Sequence, residues 1–486
     1  MICANSSLQN VDRKIYRLAR ASFHVVQLFP LNLIAWKTEM LEVFTVGIFI
    51  AACIMALLSP AWGLALVSVM FTLEQALQAT SSMFLNQLSL ANICVALAVG
   101  IGSIRAISKQ HRPFLGYFTF EWIVTIVIFT WSCISLIWTP SFKSGSELIS
   151  AGIPYFVLYV IISPFLIDGI DSLNNFFRVF LILGSAVIIL ILVNPTFTVT
   201  SGRLGINLGA TLRTNPLAMG ELGGSVLLVS ALFRIGVKSI FINIIRVVGF
   251  FCGTAIALQS GSRGQILFAV LLAFIFYPVS VRVKNLFSFL ATSLGLIVLL
   301  PITLWVAQVV LGDVGLRRWD ADVIAGGTEV RIENIMDLLG GFVTNPAAWL
   351  VGLGFNAFTS ISTAGSEPYS HVMFIDIFAE LGIPLFILFS ISMYTTARSS
   401  IWLFRRFRDE PTQRATLAVL FSFFAYQILL MNKQGYLWAA GSFFFVVLIL
   451  SRLKFRTEES DFELEMSDQD LNTTAENQET HLVKLS

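Results

Sequence analysis

The chain has 486 residues, of which 56% are hydrophobic and 12% charged, and its formal net charge is +2. A soluble domain carries about 25% charged residues, so a soluble globular protein is excluded, and a balance so close to neutral argues against nucleic acid as a partner. Five cysteines, Cys3, Cys53, Cys94, Cys133 and Cys252, have no metal-ligand spacing, and all but the first lie within apolar runs, so neither a disulfide framework nor a metal site is expected.

A helix that crosses a bilayer needs roughly 20 mostly apolar residues, and the chain offers about a dozen such runs without the two-residue alternation of a barrel strand. The expected fold is all-α, a polytopic transmembrane helical bundle of about 12–14 spans, with one long external loop carrying short helices. It opens with a cytoplasmic or interfacial segment, 1–42, whose "NSSLQNVDRKIYRLARASF" shows no cleavable signal peptide. A membrane bundle is expected over 43–193. Its first three apolar runs, 43–58, 63–71 and 88–104, are an odd number, so either one short run fails to cross or "FHVVQLFPLNLIAW" contributes. The basic "IRAISKQHR" follows, then runs at 118–138, 154–166 and 177–192.

The core of the protein is expected over 194–451. Lysine and arginine are enriched on the cytoplasmic side of membrane proteins, which puts "VRVKN", "RRFRDEPTQR" and "SRLKFR" inside and the "MNKQGY" turn outside. Counting back from the last run at 436–450, crossings fall at 415–430, from 372 onward, and at 286–310, 265–279, 240–258 and 216–233. Two external loops result, 194–215 and 311–371. The tail, 452–486, is acidic and polar and is expected to be disordered and cytoplasmic.

Arginines on the outer side are the chief anomaly. Arg203 and Arg213 lie in "SGRLGINLGATLRTNPLAMG", and Arg263 lies in "QSGSRGQILFA". Arg263 begins a helix, where the dipole is already positive and an arginine is unfavourable without an anion; Gly261 and Gly264 beside it leave backbone N–H groups open to one. Asn215 and Pro216 read as the N-cap and first residue of another helix. The alternative is that each arginine reaches to lipid headgroups. Arg317, Arg318 and Arg331 add positive charge to the longer loop. His371 closes that loop at the start of "VMFIDIFAELGIP"; it is either an interfacial histidine bonded to a backbone carbonyl or a general base that positions an acceptor hydroxyl. Glu380 is expected to have a structural role, steadying its helix or the neighbouring turn at Gly382 and Pro384. Asp320 and Asp322 form a D-x-D pair too short to specify a metal site.

Four motifs in order, "GRLG…NP.A.G" from Arg203 to Gly220, "GSRG" at Arg263, "WLVGLGFNAF" at 349–358 and "H….I..AELGIP" from His371, give residues 190–396 a pattern that resembles the bacterial O-antigen ligase and polymerase superfamily. Family members usually carry asparagine directly after the histidine, where this chain has Val372, and often a second asparagine after Asn-Pro, where it has Leu217. The resemblance implies a glycosyltransferase of the bacterial inner membrane with its active site facing the periplasm. It also implies transfer, without a cofactor or metal and with inversion, of a glycan from undecaprenyl pyrophosphate to a sugar hydroxyl on lipid A core or on another repeat unit. Arg203, Arg263 and His371 then carry the catalysis, and Arg213, Asn215, Arg317 and Arg318 bind substrate, with a chain-length regulator as a candidate further partner. A different class, a transporter of lipid-linked sugars or polysaccharide, remains open on Glu74, Glu121 and Glu221, carboxylates in or near apolar runs.

Overall fold

The structure is a computed structural model that describes residues 31–110, 112–200, 203–206, 215–234, 240–281, 287, 320–362 and 370–483. Among the described residues, nine helices are long and apolar enough to cross a bilayer: Glu39–Leu58, Pro60–Thr80, Leu90–Lys109, Phe120–Ile137, Phe142–Leu166, Ile170–Val193, Ile240–Gln259, Arg263–Ser280 and Pro411–Met431. The protein is a multi-pass, all-α membrane protein. Except for Phe287, the crossing expected at 286–310 lies outside the described residues.

In chain order, α1 is Leu31–Leu58, α2 Pro60–Thr80, α3 Leu90–Lys109 and α4 Phe120–Ile134. The boundary expected at residue 42 falls inside α1, which is a single continuous helix. All three of the first apolar runs are long helices. The short run at 63–71 grows to 21 residues because Glu74, Gln75 and Gln78 continue it as its polar end. Inside the bundle these side chains find partners: Glu74 Oε1 accepts from Gln78 Nε2 at 3.0 Å and from Asn92 Nδ2 at 3.3 Å.

Next comes α5, Phe142–Phe156, which carries Pro154 inside it and runs on through wide π-type turns at Val157–Ile162 and a tight turn at Ser163–Leu166. A proline in a helix removes one N–H donor and crowds the preceding turn, which accounts for the local change of pitch. Then follow α6, Ile170–Val193, and a hairpin of β1, Phe197–Thr200, with β2, Arg203–Ile206. The hairpin pairs Phe197 with Ile206 and Thr200 with Arg203, so Phe197, Val199, Leu204 and Ile206 share its apolar face.

The bundle continues with α7, Pro216–Leu232, α8, Ile240–Gln259, and α9, Arg263–Ser280. Beyond it come α10, Ala321–Thr344, and two single turns, α11, Ala348–Val351, and α12, Phe358–Ile361. A chain break in helix geometry at Gly382 (φ 93°) separates α13, Met373–Leu381, from α14, Ile383–Arg406. The last two helices are α15, Pro411–Met431, and α16, Gly441–Val483. The α15 span is 83% buried and stands at the centre, whereas the α1 span is 22% buried and stands at the edge. Prolines open α2, α7 and α15, where the missing N–H costs no hydrogen bond.

The tail differs from the expected disorder. Helix α16 leaves the bundle without a break and is helical through Val483. Its acidic stretch is drawn onto basic residues at one end of the bundle: Asp461 takes both Nε and an Nη of Arg406 at 2.8 and 2.7 Å, and Glu459 takes Arg112 at 2.7 Å. Arg452 donates to the carbonyl of Pro113 at 3.1 Å, and Arg456 to that of Arg112 at 2.6 Å. The opposite end carries Arg263, the 432–440 turn and His371.

Candidate functional site

Two helix N-termini meet at that opposite end. Asn215 caps α7, its side-chain oxygen accepting from Leu217 N at 3.1 Å and Ala218 N at 3.3 Å, and its own N–H donates to Gln75 Oε1 on α2 at 3.0 Å. Ser262 is the N-cap residue of α9 and Arg263 its first helical residue, as the sequence led us to expect. The fully buried Gln265 ties the two starts together by donating from Nε2 to the Leu217 carbonyl at 2.5 Å. Gly220 permits this approach, because a Cβ there would strike the Gln265 amide and come within 2.5 Å of Ser260 Oγ. The aligned peptide dipoles make such helix starts positive.

A second cation joins them. Lys433, on the turn between α15 and α16, donates from Nζ to Ser262 Oγ at 2.8 Å. Gly264 makes room for it: a Cβ on Gly264 would lie 2.7 Å from Lys433 Cε. The sequence reading missed Lys433. Its signal was a lone lysine in "MNKQGY", a turn expected to lie outside, where basic residues are sparse. A lysine bonded at a helix N-terminus whose first residue is an arginine makes a start suited to an anion with several oxygens.

The same turn reaches α13, the helix that follows His371. Its tight turn Leu437–Ala439 packs against α13, so 432–440 contacts the start of α9 on one side and α13 on the other. His371 stands half-buried just before α13 with a left-handed backbone, φ 70°. That region is sparsely occupied by residues other than glycine. Buried Ser370 holds the segment, its hydroxyl bonding the Asp376 carboxylate and accepting the Val372 N–H at 3.1 Å.

The glycine motif at 349–358 proves to be a clamp beneath α13. Leu353 N–H donates to the Ala379 carbonyl and Gly354 N–H to that of Glu380, both at 2.9 Å. The Glu380 carboxylate accepts from Asn356 N at 2.8 Å and Phe358 N at 3.1 Å. Gly352, Gly354 and Gly382 have φ of 81°, 95° and 93°, and a Cβ on Gly382 would lie 2.7 Å from the Leu350 carbonyl oxygen. Glu380 thus has the steadying role expected of it, although the loop it steadies is the distant 349–358 rather than its own turn.

The remaining candidates scatter. Arg203 is exposed at the start of β2, on the polar face of a hairpin that rests on α7 through its other strand face. Arg213, Arg317 and Arg318 lie outside the described residues. The side-chain oxygen of Asn215, expected to bind substrate, is used in capping α7. Asp320 is the N-cap residue of α10 and Asp322 lies in its first turn, where negative charge favours the helix. Glu121 bonds Ser451 near the opposite end, and Glu221 accepts from Gln427 Nε2 at 2.8 Å and Ser442 Oγ at 3.0 Å inside the bundle. Among the described residues no group of three or more His, Cys, Asp or Glu is placed to hold a metal ion.

No protein-family model matches the chain, and a search of curated proteins finds no match.

Proposed function

We propose that the protein is a membrane glycosyltransferase that moves a glycan from undecaprenyl pyrophosphate to a sugar hydroxyl at the periplasmic face of the bacterial inner membrane, as an O-antigen ligase or a repeat-unit polymerase. The observation that carries this reading is Lys433 bonded to Ser262 at the N-terminus of α9, the residue before Arg263, on a turn that also packs against α13, the helix that His371 precedes. In the proposed reaction the acceptor oxygen attacks the anomeric carbon from the face opposite the leaving group. The bond from that carbon to the phosphate oxygen breaks, and the electron pair leaves with the pyrophosphate. The acceptor proton passes to the His371 imidazole, and the anomeric configuration inverts.

Negative charge grows on the departing phosphate, so cations fixed beside it lower the barrier most in a site poor in water. Arg263 and Lys433 would bind the pyrophosphate, with Arg203 and Arg213 as the further cations that the sequence motif assigns to it. The test is transfer by purified variants. Arg263→Ala and Lys433→Ala are each expected to reduce the rate by about 10²-fold or more, and His371→Ala by about 10²–10⁴-fold. Full activity in Arg263→Ala and His371→Ala proteins that purify normally would remove this reading.

A transporter is the second reading, and the half-buried Glu74 and Glu221, which accept hydrogen bonds from neutral side chains inside the bundle, favour it. It predicts substrate movement across vesicles without any new glycosidic bond, and sensitivity to Glu221→Gln rather than to His371→Ala.

A further inference from the structure

Helix α10 has three sectors, and only two have an occupant. Asn334, Leu338 and Phe342 are buried; Leu338 and Phe342 belong to a small core with Ala348, Phe358 and Ala379. At about 100° per residue, Asp322, Glu329 and Glu333 fall in a different sector, exposed and acidic, as expected of a side facing water. Between these lies a line of Ile332, Met336 and Val343, which share one direction to within about 40°. They are 56%, 64% and 62% exposed.

The exposed line continues onto α11, where Trp349 is 47% and Leu350 71% exposed. The depth of α11 is set by its partners. Trp131 donates from its indole N–H to the Val351 carbonyl at 3.3 Å, and Trp138 donates to the Gly352 carbonyl at 3.2 Å. Trp131 lies in the last two turns of the crossing helix Phe120–Ile137, and Trp138 lies just past its end. Helix α11 also packs against α14, whose outward residues Ile387 and Ile391 are exposed, as are Ile134 and Ile137 beside Trp138. Tryptophans 131, 138 and 349 therefore form a short belt where a crossing helix ends, the level at which tryptophan concentrates in membranes.

We propose that the C-terminal half of α10, together with α11, is a lipid-binding element, seated in the bilayer interface at the His371 end with Ile332, Met336, Val343, Trp349 and Leu350 among the acyl chains. A helix with one apolar and one charged sector lies in the plane of the interface with its apolar side sunk about 5–10 Å. Here the third sector is bonded to the protein, so the helix serves as a fixed ledge linking the 349–358 clamp to the surrounding lipid. This inference stands apart from the glycosyltransferase reading.

The experiment uses the full chain with its five cysteines replaced by alanine, reconstituted in phosphatidylethanolamine–phosphatidylglycerol vesicles. Single cysteines introduced as Met336→Cys, Val343→Cys, Glu333→Cys and Gly340→Cys are labelled with a nitrobenzoxadiazole fluorophore. The expected result is blue-shifted emission at 336 and 343, quenched several-fold more strongly by lipids carrying a nitroxide near the headgroup than by aqueous iodide, with the reverse order at 333. Equal iodide quenching at all four positions overturns the proposal. So does efficient cross-linking of Met336→Cys between two chains with the lipid quencher ineffective, which would make the line an interface between copies.

Discussion

Val372 occupies the N-cap position of α13 with extended backbone, and its side chain can accept no hydrogen bond. Asparagine is among the best N-cap residues. Ser370 steadies the chain ahead of the helix, its hydroxyl accepting the Val372 N–H, but no side chain caps the first turn of α13. Val372→Asn is expected to raise stability by about 1 kcal/mol in a thermal melt of the detergent-solubilised protein, with transfer unchanged. Glu380 is the reverse case, one carboxylate serving two buried N–H groups. Glu380→Ala strands both donors at about 1–3 kcal/mol each, which the same melt would register, whereas Glu329→Ala on the exposed side of α10 should leave the midpoint in place. Glycine positions separate by the same logic. A Cβ on Gly327 meets nothing within 4 Å, in mid-helix, so Gly327→Ala should stabilise by about 0.5–1 kcal/mol; Gly382→Ala, at φ 93° against a carbonyl, should abolish folded expression.

Most crossing helices were legible because 20-residue apolar runs have few other uses. The start of α9 at Arg263 and the cap at Asn215 followed from local chemistry alone. What could not be read depended on partners distant in sequence. The length of α2 rests on Glu74 meeting Asn92, and the hairpin is two strands of four residues, too short for an alternation to stand out. The tail is the clearest example: its composition suits a solvated coil, yet the arginines at 112 and 406 draw it into helix. The Arg406 guanidinium holds the Asp461 carboxyl below the usual carboxylate range. A depressed folded-state value means that the stabilisation is complete above the unfolded value of about 3.9 and is lost as pH falls through the folded one. Physiological pH changes should therefore leave the tail docked. Salt should loosen it, since such exposed pairs contribute only about 0.2–1 kcal/mol and are screened. Limited proteolysis after residue 457 is expected to speed up between low salt and 1 M salt, and Arg406→Ala to cleave quickly at both; equal rates under all conditions would contradict docking by charge.

At the scale of the molecule, the two ends differ in chemistry. One gathers the ion pairs of the tail, and the other gathers Arg263, Lys433 and two helix N-termini around a single turn that also touches α13. The sequence pointed to that second end through Arg263 and His371, but it did not show Lys433 bonded to Ser262 there, because a basic residue in a six-residue turn carries no spacing signal. Nor did it show that the residues of one motif fall into different surroundings. His371 and Glu380 lie nine positions apart, yet the first stands before α13 and the second is spent inside the clamp on 349–358. The most direct test of the account is to incubate the purified protein in vesicles with an undecaprenyl-pyrophosphate-linked glycan and a sugar-bearing acceptor, and to follow acceptor mass together with released undecaprenyl pyrophosphate. The account predicts one released pyrophosphate for each new glycosidic bond, with both signals lost together in Arg263→Ala and His371→Ala. Movement of the intact donor across the bilayer with no gain in acceptor mass would contradict it.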